Sequence, residues 1–212
     1  MSEPIDLYWS FRSPYSYLAL KQINDIAARR DVEFNVRIVH PLAIRDPEFF
    51  VSRGMPWITY LLKDVFRLGE MTEQTISIPK PDPIVQDLTN AKIAEDQPYI
   101  YRLAYLGILA AESECGLDFI TTVSPIIWSG EDWTAENRLS EALRNVGIDL
   151  AALEAKISGH QTELDAKLDA NDKALREAGH WGVPTTVLRG EPFFGMDRLD
   201  ALEWRLDQLG VS

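Results

Sequence analysis

One cysteine, three histidines and a deficit of positive charge are what these 212 residues have least of. Cys115 alone can close no intramolecular disulfide and belongs to no Cys-x-x-Cys pair, which excludes dithiol redox cycling. Its neighbours Glu112 and Glu114 set a field opposite to the one a reactive thiolate needs. It reads as a small residue at the end of a helix stopped by Gly116. His40, His160 and His180 fit no zinc spacing and no cysteine cluster accompanies them, so no metal site is expected. A net charge of -12 argues against nucleic acid or anionic membrane as partner. Arg12, Lys63, Arg67 and Arg198 can still hold an anion locally. No apolar run approaches the ~20 residues that span a bilayer. The opening Met1 to Asp6 has neither a basic stretch nor an apolar one, so a soluble, cytoplasmic protein without a signal peptide is expected.

What the chain does have is 46% hydrophobic residues and six tryptophans, enough for one domain or one domain with a large insertion. Ile5 to Ser10 reads as a strand. Pro14 to Arg30 reads as a helix with Leu18, Ile23, Ile26 and Ala27 inward, and Glu33 to Val39 as a strand alternating at Phe34, Val36 and Ile38. Such a βαβ unit makes its strands parallel with a right-handed crossover. Near the far end, Pro184 opens a strand from Thr185 to Leu188. A tight turn, a second strand from Pro192 to Gly195, and a helix from Arg198 to Gly210 follow. A proline entering a central strand is best tolerated after a cis bond in a tight turn. Between the two ends, Trp57 to Glu70, Pro83 to Glu95, Ile100 to Cys115, Leu117 to Trp128, Thr134 to Val146 and Leu150 to Ala178 read as helical, with Gly147 and Gly159 punctuating the later ones. The reading is α/β: a thioredoxin-like sheet domain (1–44 and 179–212) carrying a large inserted helical domain (45–178).

In that outline the proline faces the mouth of the first helix, and the residue at the mouth is Ser13. Serine followed by proline is an ordinary helix start. The same hydroxyl, at the positive end of the helix dipole, can also donate to the thiolate of a bound thiol. Both readings stand.

Phe11 to Ala19, Gly179 to Thr185 and Gly190 to Leu199 together resemble the signature segments of the 2-hydroxychromene-2-carboxylate isomerase family, related to kappa-class glutathione transferases and to the wider DsbA-like group. The resemblance covers essentially the whole chain. It implies a homodimeric, glutathione-dependent isomerase of an unsaturated aromatic carboxylic acid, working by reversible thiolate addition. A kappa-like transferase or a non-catalytic thioredoxin-fold binding protein are the alternatives. By the resemblance, Ser13 holds the glutathione sulfur. Val183 before Pro184 pairs its backbone with the cysteinyl part. Asp197 takes the γ-glutamyl ammonium, and the amides of Met196 and Asp197 take its carboxylate. Asp197 can equally be a helix cap. Position 196 usually carries a polar residue in the family, and Met196 offers only backbone. Tyr60, Asp64 and Arg67 match a family helix on which a lysine is expected where Trp57 stands. Those three are also compatible with a plain polar face, and Lys63, six residues past Trp57, lies on another face. Arg12, Tyr60, Lys63 and His180 are the candidates for touching substrate.

Overall fold

The computed structural model of the chain describes residues 2–87 and 92–212. At its centre is β1 (Glu3–Trp9), in which Ile5, Leu7 and Trp9 are fully buried on one side and Tyr8 is buried on the other. A strand covered on both faces belongs in the interior of a sheet. β1 runs parallel to β2 (Val32–Ile38), with Ile5 beside Phe34 and Trp9 beside Ile38. On its other edge it runs antiparallel to β5 (Thr185–Leu188), which pairs with β6 (Glu191–Phe194). The order β2-β1-β5-β6 brings the two ends of the chain into one sheet. The crossover is α1 (Pro14–Arg29), begun by Ser13 and by Pro14 in its first turn.

Between β2 and β5 stand α2 (Leu42–Arg45), α3 (Glu48–Met71), α4 (Pro98–Glu112), α5 (Gly116–Ile127), α6 (Arg138–Asn145), α7 (Leu150–Ile157) and α8 (Gln161–Glu177). A 3-10 turn, Met196–Arg198, leads into α9 (Leu199–Leu209), stopped by Gly210 at φ 71. This is the expected thioredoxin-like fold with its helices inserted after the βαβ half. One cluster of buried apolar side chains runs from Ile5, Leu7 and Val36 through Leu106 and Phe119 to Leu143 and Leu153, so sheet and helices share an interior. The opposite face of the sheet is covered by α8, whose Leu175 packs with Tyr8 and Val39.

Three local expectations need correction. Pro83 to Glu95 is not a helix in its described part. Gln86–Asp87 (β3) and Lys92–Ile93 (β4) pair antiparallel, and residues 88–91 of that expectation lie outside the described residues. The reason is side-chain competition for the backbone. Asp82 accepts from the Ile84 N–H at 2.9 Å, while Gln97 accepts from the Val85 N–H at 2.9 Å and donates to the Val85 carbonyl at 2.8 Å. The stretch from Leu150 to Ala178 divides into α7 and α8 at Gly159, with φ 79, where the glycine punctuates it in the sequence. Gly116 does not stop a helix but begins α5. Glu114, at φ 59, takes the left-handed position instead. The helix expected from Trp57 reaches back to Glu48 across a break at Gly54, with φ 70 and ψ 175.

Gly107 of α4 sets how closely that helix lies on β2. A Cβ there would meet Ile38 Cγ1 at 2.8 Å and Phe11 Cε2 at 3.1 Å. Gly107→Ala is expected to cost about 1–3 kcal/mol, the range for overpacking a filled core. The check is a lower denaturant midpoint with an unchanged slope.

Candidate active site

The segment that precedes α1 is held by side chains from the inserted region, Phe119 of α5, Trp128 at its end and Asp82 of the loop after α3. Phe11 is buried edge-on against Phe119, with ring centroids 6.0 Å apart. Its carbonyl accepts from the Trp128 indole N–H at 3.2 Å. Arg12 makes a two-pronged pair with Asp82, Nε to Oδ1 at 2.6 Å and Nη2 to Oδ2 at 2.7 Å, and lies over the Trp128 ring at 5.3 Å. Its bonding fork therefore serves the loop. Ser13, delivered at the end of this segment, accepts from the Ser16 N–H at 3.2 Å and donates to the Val183 carbonyl at 3.2 Å. No acidic side chain lies in the first turn of α1 to offset its dipole.

The facing loop carries the cis Val183–Pro184 bond. The Pro184 carbonyl accepts from the Gly195 N–H at 2.8 Å, which ties the loop to the turn after β6, and Thr185 donates to the Gly182 carbonyl at 2.7 Å. His180 Nδ1 accepts from the Gly182 N–H at 2.9 Å, so the ring carries its proton on Nε2. The imidazole stacks against both Trp181 and Phe194, with centroids 5.2 and 3.9 Å away. Burial pushes its pKa below the usual histidine value. Gly182 is needed beneath this stack, because a Cβ there would lie 2.9 Å from Phe194 Cζ. Arg45, 6% exposed, joins three segments: it pairs with Asp172 of α8, donates to the His40 carbonyl at 2.6 Å, and donates to the Trp181 carbonyl at 3.0 Å.

α3 closes the third side. Tyr15 donates to Asp64 Oδ2 at 2.9 Å, and Arg67 reaches Asp64 Oδ1 at 3.2 Å. Burial first, and then the bond to Asp64, hold the Tyr15 hydroxyl well above the usual tyrosine value, so it remains a donor. Tyr60 and Asp197 act on the same hydroxyl in the same direction. α1 packs against both α3 and the Met196–Arg198 turn, which brings the three to one side of the mouth. Asp197 is largely exposed and meets only its neighbour Arg198, at 3.2 Å. Met196 is half-buried, its side chain packed against the core. Tyr60 and Lys63 are exposed on α3.

Ser13, Val183, Pro184, Met196 and Asp197 thus border one region, with Tyr60 and His180 beside it. Arg12 faces Asp82, away from a free position. Asp82, Trp128, Arg45 and Asp172 were not foreseen as parts of it. Their partners lie 70 to 136 residues away, and no local pattern announces them. Among the described residues no group of three histidine, cysteine, aspartate or glutamate side chains is arranged to hold a metal, and no helix is long and apolar enough to cross a membrane.

A helix mouth facing a cis-proline loop across a mixed four-stranded sheet defines a thioredoxin-type protein, here with serine at the mouth. The chain belongs to the DSBA-like thioredoxin domain family, whose sequence profile matches residues 4–207. It is 27% identical over 213 residues to a protein of Sphingobium xenophagum named 2-hydroxychromene-2-carboxylate isomerase, covering 96% of this chain and 97% of that one. A solved 2-hydroxychromene-2-carboxylate isomerase superposes with a TM-score of 0.68 at 24% identity, over 97% of this chain and 95% of the other. The cytosolic disulfide reductase DsbM from Pseudomonas aeruginosa, solved with GSH, has a TM-score of 0.59 at 17% identity, over 96% and 99%.

Two outcomes are expected of this arrangement. Arg45→Gln should lower stability by about 3 kcal/mol, the low end for breaking a buried pair, because Asp172 keeps Arg176 at 2.9 Å. Equilibrium denaturation measures it. His180 and His40 are both held neutral by burial, so below pH ~6.5 the unfolded chain binds more protons than the folded one. Their contribution is complete above that pH and is lost as pH falls through the lower folded-state values. Denaturant midpoints measured from pH 7.5 to 5 should decline on acidification, with a shallower decline in His180→Gln.

Proposed function

We propose that this protein is a glutathione-dependent isomerase of an unsaturated aromatic carboxylic acid resembling 2-hydroxychromene-2-carboxylate. The observation that carries the reading is the Ser13 hydroxyl, set at the N-terminus of α1 and bonded at 3.2 Å to the carbonyl before the cis proline. Similarity along 96% of the chain to a protein named as such an isomerase supports it.

The residues present fit glutathione group by group. A thiolate needs hydrogen-bond donors and positive potential; Ser13 and the unopposed dipole of α1 provide both. An extended peptide needs a free backbone edge, and Val183 presents one beside Pro184. An ammonium needs a carboxylate, and Asp197 is exposed with only Arg198 beside it. A carboxylate needs N–H donors, and the first amides of the Met196–Arg198 turn have no partner within it. When bound, glutathione would supply a nucleophilic sulfur for reversible addition to a conjugated double bond.

The chain's own work is positional and electrostatic. Ser13, whose O–H donates to the Val183 carbonyl in the free protein, would hold the sulfur by turning that donor to it, and the Val183 carbonyl would then be free to accept from the ligand's backbone. Tyr15, kept protonated by burial and by Asp64, to which it donates, stays neutral beside the mouth and ties α1 to α3. Trp181 and Phe194 are partly exposed and offer apolar faces for an aromatic substrate. Cys115 takes no part: its thiol donates to the Ala110 carbonyl at 3.3 Å, and burial pushes its pKa up. The same reading makes the enzyme a cytoplasmic homodimer.

Calorimetric titration with glutathione, followed by a screen of aromatic enone acids for isomerisation, tests the proposal. Saturable binding with turnover is expected, and binding of neither would leave a non-catalytic thioredoxin-fold protein. Ser13→Ala should bind glutathione yet titrate its thiolate absorbance at higher pH than wild type, besides losing about 0.5–2 kcal/mol of stability with the cap. Loss of stability with an unchanged titration would reduce Ser13 to a helix cap. Asp197→Asn should weaken glutathione binding by about 1 kcal/mol, the low end for a charged hydrogen bond at so exposed a position.

A further inference from the structure

The break in α3 at Gly54 folds the turn before it onto the lip of the site. Phe49 is buried there, with Phe50, Trp181 and Trp57 around it at centroid distances of 5.2, 5.2 and 5.7 Å. The Arg53 guanidinium carbon lies 3.6 Å from the centroid of the Phe49 ring and 5.9 Å from that of Trp57, and Nη1 donates to the Phe49 carbonyl at 3.4 Å. A guanidinium held over an aromatic ring in this way keeps most of its donors unpaired, since among the described residues only Nη1 is bonded. The other arginines bordering the site are committed: Arg12 to Asp82, Arg45 to Asp172, Arg67 to Asp64 and Arg198 to Asp197. Among the described residues Arg53 has no carboxylate partner.

Two separate connections place this cluster beside Ser13. Trp181 is two residues before Val183, whose carbonyl bonds to the Ser13 hydroxyl. Trp57, Tyr60 and Asp64 share one face of α3 at helical spacing, and Asp64 bonds to Tyr15, two residues beyond Ser13. Trp57 is therefore about 10 Å along the helix from the contact with α1. That is close to the length of a substituted cinnamic acid. Trp181, at 38% exposed, presents a ring on the same rim.

We infer that Arg53, backed by Phe49 and Trp57, is the subsite for the carboxylate of an aromatic acid whose ring lies along Trp57 and Trp181. Its position relative to the reacting atoms rests on the proposed function, but its ligand chemistry does not. Aromatic surfaces select the ring, and the unpaired donors of Arg53 select a planar carboxylate over a neutral group.

The test is calorimetric binding of cinnamate, its neutral isostere cinnamamide, and acetate to the full chain, with and without saturating glutathione. Wild type should prefer cinnamate to cinnamamide at least tenfold and bind acetate far more weakly. Arg53→Met should abolish that preference while holding cinnamamide as wild type does, Arg53→Lys should restore part of it, and Trp57→Ala should weaken both aromatic ligands. Near-UV circular dichroism of Arg53→Met must match wild type, and Arg53→Gln replaces it where it does not. Equal affinity for cinnamate in wild type and both neutral variants overturns the assignment, as does no binding of cinnamate to wild type. Discrimination through Arg53 in a chain that binds no glutathione would sink the cofactor reading and keep the subsite. The reverse result would do the opposite.

Discussion

A single hydroxyl connects the two halves of this protein's candidate site, and much of the structure serves to keep it where it is. Ser13 and Val183 are 170 residues apart, yet their contact is a hydrogen bond of 3.2 Å. A bond of that length tolerates displacements of only a few tenths of an ångström before it weakens. The central placement of β1 answers this requirement, because the strand that ends near Ser13 is the direct neighbour of the strand that Pro184 opens. The remaining tolerance is taken up by the inserted region. Trp128 and Asp82 fix the backbone before Ser13, and Arg45 fixes the backbone before Val183. The insertion is thus the clamp on both lips of the mouth as well as the larger part of the core.

The elements that could be read from the sequence are those whose determinants are local. Alternation at Phe34, Val36 and Ile38 marks β2, and Ser13-Pro14 marks the start of α1, because neighbouring residues set these patterns. Ser13 was recognisable as a candidate for the same reason, whereas Val183 and Asp197 were assigned through the family resemblance of the segments around them. The hairpin at Gln86 was illegible because its backbone is satisfied by one glutamine side chain eleven residues further on, an arrangement with no periodic signature. Gly116 was misread because a glycine can be demanded by backbone angle or by crowding. Here crowding decides: a Cβ would lie 3.0 Å from Ala111 and from Val36. Arg45 looked like one arginine among many, since nothing near it in sequence announces Asp172 or the Trp181 carbonyl.

Charge tells a similar story at larger scale. The strongly acidic balance of the chain describes its surface and says little about the site, where each charge is held by specific neighbours. Asp64, Asp82 and Asp172 each bind a tyrosine or arginine that positions backbone, so part of the negative excess is structural rather than exposed. Asp197 and Arg53 contrast with these in having little or nothing of opposite sign to hold them beyond a neighbouring residue or an aromatic face.

The Arg45 guanidinium touches α8, the end of β2 and the peptide before Gly182 at once. Proteins open locally in cooperative units, and groups joined by one buried ion open together. The loop that carries the cis proline is therefore not a free lid over the mouth. Its amides should exchange with solvent at the pace set by the opening of α8, a helix that contributes no residue to the mouth, and the rigidity of the site becomes a property of that distant helix.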